Sequence, residues 1–79
     1  MMWEVKLPQL GSSMVDAEIV KWLKNEGDNV EEGEPLVEID TAKAVTTLPC
    51  PKGGVLKQII TKEGSVVKVG EIIALIDTA

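Results

Sequence analysis

The chain contains no histidine, no arginine, no phenylalanine and no tyrosine, and only one cysteine. Without histidine it lacks both the commonest general base and the commonest metal ligand, so Ser/His/Asp and Cys/His constellations are excluded. Cys50 alone can form neither an intrachain disulfide nor a thiolate metal site. With Pro49 and Pro51 on either side and no cation next to it in sequence, it is expected to be an inert packed residue. The eight lysines are scattered, no arginine offers a bidentate fork, and the net charge is −5. Phosphate binding needs clustered cations, so nucleic acid is excluded as a partner. No apolar run approaches membrane-spanning length, and Met1-Met2-Trp3-Glu4 is not a basic leader followed by an apolar stretch. A cytoplasmic protein with no membrane partner is expected. There is neither a Walker-type loop nor a calcium-loop spacing, and Glu31, Glu32 and Glu34 are expected on a solvated turn. No metal site and no catalytic residues are expected, and the chain by itself is not expected to be an enzyme.

What is present is β-forming. Valine and isoleucine dominate the apolar set, and 79 residues make one small domain, 1–79, expected to be monomeric in isolation. The core of such a domain supplies only about 3–5 kcal/mol, which leaves little to hold strained catalytic geometry.

The chain also repeats itself. A shift of 37 residues lays 17–42 on 54–79 without a gap, with nine of 26 positions identical. Glu26-Gly27 falls on Glu63-Gly64, Gly33-Glu34 on Gly70-Glu71, and Ile39-Asp40-Thr41-Ala42 on Ile76-Asp77-Thr78-Ala79. Matching Leu7-Pro8 with Leu48-Pro49 needs a shift of 41, which puts four extra residues into segment 9–15 of the first half. Two copies are too few for a solenoid, so a closed pseudo-twofold structure is predicted, with the paired glycines at equivalent turns.

Residues 3–7 alternate cleanly and stop at Pro8; 35–40, 45–48 and 72–76 also read as strands. Segment 13–24 is harder. Val15, Ile19, Trp22 and Leu23 have helical spacing, and 55–60 is ambiguous in the same way. Strands are predicted for both, with a bulge shifting the apolar phase in each.

Between strands 35–40 and 45–48 lies Thr41-Ala42-Lys43-Ala44, a polar turn with one lysine set between alanines. Lys43 is the candidate functional group, as an amine that another enzyme modifies. Asp40 and Thr41 start the turn with side chains able to bond its backbone, and Ala42 and Ala44 leave room for an enzyme to close over the lysine.

The run Gly27-Asp28-x-Val30-x-x-Gly33-x-x-Leu36-x-x-Ile39-x-Thr41-x-Lys43-Ala44, followed by Pro49-x-Pro51-x-Gly53-Gly54-x-Leu56, resembles a lipoyl domain of the biotinyl/lipoyl family. Such domains are carried by the acyltransferase subunits of 2-oxo acid dehydrogenase complexes. Leu7-Pro8-x-Leu10-Gly11 and Glu18-Ile19-Val20-Lys21-Trp22 match as well, so the likeness covers nearly the whole chain. It implies an all-β fold, a flattened barrel of two four-stranded antiparallel sheets, with the modified lysine on a hairpin turn at the opposite end from the termini. It implies lipoic acid bound covalently to Lys43 by a lipoate ligase or lipoyl transferase. The implied partners are a thiamine-dependent 2-oxo acid decarboxylase, an acyltransferase core and dihydrolipoamide dehydrogenase. The domain would be a swinging-arm carrier within a dihydrolipoamide acyltransferase.

Two departures stand out. Ala42 replaces an aspartate common before the lysine, and 11–14 has serine where an acid is common; both lie in the surface thought to meet partner enzymes. A biotin carboxyl carrier and an unmodified adaptor are the alternatives, although biotin domains typically flank the lysine with methionines and Ala42-Lys43-Ala44 does not.

Overall fold

The computed structural model describes residues 1–42 and 44–78. It contains eight strands: β1 (Met2–Lys6), β2 (Asp16–Trp22), β3 (Asn29–Val30), β4 (Pro35–Asp40), β5 (Val45–Pro49), β6 (Gly54–Ile59), β7 (Val66–Lys68) and β8 (Ile72–Asp77). They form two four-stranded sheets, ordered β1-β8-β6-β3 and β5-β4-β2-β7, with antiparallel neighbours throughout. This is the predicted flattened all-β barrel. Alternation along the strands sends Val5, Ile19, Ile39, Leu56, Val67 and Ile76 between the sheets, all buried. No polar or charged residue is buried with them among the described residues.

The 37-residue period is written into the pairing. Glu18↔Asp40 and Ile19↔Ile39 in one sheet recur as Val55↔Asp77 and Leu56↔Ile76 in the other. The bulges recur too, between Ile19 and Lys21 in β2 and between Leu56 and Gln58 in β6. They account for the misleading periodicity. An inserted residue turns the two-residue step of a strand into the three-residue step from Ile19 to Trp22, which looks helical. Val15, which completed the apparent helical face, is 70% exposed and lies before β2.

Each bulge is closed by the other half of the chain. Trp22 N–H donates to Glu63 Oε2 (2.9 Å), and its repeat mate Ile59 N–H donates to Glu26 Oε2 (2.8 Å). The adjoining glycines follow suit, Gly27 N–H donating to the Leu56 carbonyl and Gly64 N–H to the Ile19 carbonyl, both at 2.7 Å. The turns that deliver these bonds need positive φ, 93° at Gly27 and 90° at Gly64, so the Glu-Gly pairs have a structural purpose. A buried N–H that loses a charged acceptor costs about 1–3 kcal/mol. Glu63→Ala is therefore expected to lower stability by about 1–2 kcal/mol, and Glu26→Ala, whose bond is more exposed, by about half as much. Urea melts of the two variants check the order.

The repeat has one register that identity alone misplaces. Lys6 pairs with Ile72 and Pro49 with Pro35, while Met2 pairs with Asp77 and Val45 with Asp40. Thus β1 and β5 are related by 43 residues, and Leu7 corresponds to Cys50 rather than Leu48. A two-residue slip keeps every side chain on its face, so apolar pattern cannot detect it. The first half takes ten steps from Leu7 to Ala17 where the second takes four from Cys50 to Gly54, so the inserted loop is six residues longer, not four.

Candidate functional site

The β4–β5 connection is a tight hairpin. Thr41 N–H donates to the Ala44 carbonyl (3.0 Å); the Thr41 hydroxyl donates to the same carbonyl (3.0 Å) and accepts the Ala44 N–H (3.3 Å). A side chain thus ties the start of the turn to its end. Ala42 and Ala44 are exposed. Lys43 lies outside the described residues. Asp40 is the last residue of β4, and among the described residues its carboxylate holds no part of the turn; it points outward beside Glu18, its cross-strand neighbour. Of the residues expected to support the turn, Thr41 is the one whose side chain bonds it.

The inserted loop comes back to this turn. Lys68 pairs with Asp16 at the loop's end, and Val69 N–H donates to the Val15 carbonyl (3.0 Å). Within the loop, Met14 N–H donates to the Gly11 carbonyl (3.1 Å), Gln9 Nε2 to the Met14 carbonyl (3.1 Å) and Leu10 N–H to Met14 Sδ (3.3 Å). Between loop and turn is a cleft of about 280 Å3, with Leu10, Met14 and Val15 on one side and Thr41, Ala42, Ala44 and Thr46 on the other. Sequence reasoning noted the extra residues but not this wall; the signal was that they interrupt an otherwise gapless repeat.

Met1 and Thr78 lie away from the turn. Leu7 N–H donates to the Glu71 carbonyl at the corner that Lys68 links to Asp16, and β8 runs from there to Asp77. Six strand residues cover about 20 Å. There the Met1 ammonium sits 3.4 Å from Asp77 Oδ1, and Thr78 N–H donates to the Met1 carbonyl (2.8 Å).

Cys50 is not part of the site. It is buried, its thiol donates to the Lys52 carbonyl (3.0 Å), and burial pushes its pKa up, with Glu34 and Glu32 adding to the effect. A raised pKa leaves less thiolate at neutral pH. Folded protein should react with a thiol reagent at least about tenfold more slowly than free cysteine, and at the normal rate once unfolded, as Ellman's assay will show. Among the described residues no group of three His, Cys, Asp or Glu side chains could hold a metal ion, and no helix is long and apolar enough to cross a membrane.

Residues 3–76 match the biotin/lipoyl family, described as biotin-requiring enzyme. The chain is 43% identical, over its full length, to the dihydrolipoyllysine-residue acetyltransferase component of a pyruvate dehydrogenase complex from Corynebacterium glutamicum. Over 95% of its length it is 44% identical to the succinyltransferase component of a 2-oxoglutarate dehydrogenase complex from Cupriavidus necator. It spans 12% and 18% of those two proteins. In structure it is similar to the lipoyl domain of the 2-oxoglutarate dehydrogenase complex from Azotobacter vinelandii, with a TM-score of 0.76, 30% identity and 94% of each chain covered.

Proposed function

Because this chain belongs to the biotin/lipoyl family, we propose that it is a lipoyl carrier domain, modified on Lys43, of a cytoplasmic 2-oxo acid dehydrogenase complex. The observation that carries the reading is likeness over the whole chain, in sequence and in fold, to acyltransferase components and to a lipoyl domain. In support, the turn around Lys43 is tied by Thr41 and has exposed alanines on both sides, while Met1 sits beside Asp77 at the far end of β8.

A lipoate ligase would couple the amine of Lys43 to an activated lipoyl carboxyl, forming an amide and removing one positive charge. Bound to Lys43, lipoic acid would supply a redox-active disulfide able to carry an acyl group and two electrons among a thiamine-dependent decarboxylase, the acyltransferase core and dihydrolipoamide dehydrogenase. This chain contributes position. Thr41 fixes the turn, Ala42 and Ala44 keep it open to partner active sites, and the tethered domain raises the local concentration of its cargo.

The relatives divide between acetyl and succinyl transfer, so the 2-oxo acid is open to experiment. Lipoylated protein incubated with pyruvate or 2-oxoglutarate and the matching decarboxylase should gain one acyl group by intact mass. Lys43→Gln should gain none. No loading from pyruvate, 2-oxoglutarate, branched-chain 2-oxo acids or acetoin would overturn the carrier role.

A further inference from the structure

We propose that the cleft between the inserted loop and the β4–β5 turn is a resting site for the lipoyl group, so that the arm is parked on its own domain between transfers. The inference rests on the attachment to Lys43 proposed above. The cleft's walls include Ala42 and Ala44, the neighbours in sequence of the attachment residue. Its chemistry matches the occupant. Once amide-linked, the lipoyl group is an uncharged saturated chain ending in a dithiolane; Leu10, Met14 and Val15 offer it apolar surface, and Ser13, Asp16, Thr41 and Thr46 make up the polar part of the walls. Leu10 is 49% and Val15 70% exposed, an apolar exposure that a covering chain would relieve.

The placement is asymmetric. Strand pairings repeat between the halves, bulges included, and the six-residue insertion falls in the connection that lines this cleft together with the turn. The bonds from Gln9, Leu10 and Met14 within the loop, and from Val69 to Val15 at its end, hold that wall in place before any arm arrives. A parked dithiolane is shielded from free thiols yet stays within reach of a partner that offers a better pocket.

The test uses the lipoylated domain, with occupancy confirmed by intact mass. Methyl NMR spectra of modified and unmodified protein should differ at Leu10, Met14 and Val15 as well as at Ala42 and Ala44. Reduction of the dithiolane by a phosphine should be at least threefold slower than for free lipoamide. In Leu10→Ser/Met14→Ser it should return to the free rate, the strand methyls showing that the fold is kept. Shifts confined to Ala42 and Ala44, with wild-type reduction at the free rate, would overturn the resting site and leave the attachment intact. No mass gain would instead remove the attachment, and the resting site with it.

Discussion

Gly54→Ala is expected to leave little folded protein at room temperature. Gly54 has φ 155° and sits under the end of β8, where a Cβ would run into the Asp77 carbonyl oxygen and press on Ile76 Cγ2 at 3.1 Å. Neither obstacle can give way, since Asp77 pairs with both Val55 and Met2 and Ile76 is wholly buried. Backbone strain of this kind costs about 1–3 kcal/mol, and the backbone clash adds to it. Against a total near 3–5 kcal/mol for a small core, the sum is about the whole stability. The adjacent Gly53→Ala is the control. Its Cβ would approach nothing closer than the Val30 carbonyl oxygen at 3.7 Å, and its φ is not in the left-handed region. It should change stability by less than about 0.5 kcal/mol, so thermal melts of the two neighbours should differ sharply.

Trp22→Ala should have a comparable effect for a different reason. Trp22 is 9% exposed, reaches the core across the bulge in β2, and its indole Nε1–H donates to the Thr61 carbonyl (2.8 Å). Removing a buried indole costs about 3–5 kcal/mol, again close to the full stability of a domain this size. Trp22→Phe keeps most of the apolar volume but leaves the Thr61 carbonyl without its donor, for a smaller loss of about 1 kcal/mol. Trp3 gives the comparison: at 37% exposed, with Lys52 Nζ 5.2 Å from its ring centroid, it packs at the surface, and Trp3→Ala should cost far less. Urea titrations followed by far-ultraviolet circular dichroism report on all three without relying on tryptophan fluorescence.

The fold was legible because its two halves say the same thing twice. Ile39-Asp40 and Ile76-Asp77, and the two Glu-Gly pairs, locate the same strand ends and turns in each sheet. The bulges at β2 and β6 could be anticipated only because both segments were ambiguous in the same way. The register of β1 was not legible, since Leu7-Pro8 and Leu48-Pro49 look equivalent while the pairing relates Leu7 to Cys50. Nor was the special position of Gly54. Its repeat mate is Ala17, which carries a Cβ; the closeness of the Asp77 carbonyl and a φ of 155° set Gly54 apart. At the turn, sequence offered Asp40 and Thr41 as equal candidates for its side-chain bonds. The structure gives that part to Thr41, because Asp40 ends β4 with its side chain on the outer face beside Glu18.

The most direct measurement of the central claim is the intact mass of the chain after incubation with ATP, lipoate and a lipoate ligase. A parallel reaction supplies biotin and its ligase, with Lys43→Gln as the control in both. One lipoyl group is expected on the wild-type chain, none on the Lys43→Gln variant and no biotin on either. A gain with biotin but not with lipoate would contradict it and move the chain to the carboxylases, while no gain with either would make it an unmodified barrel.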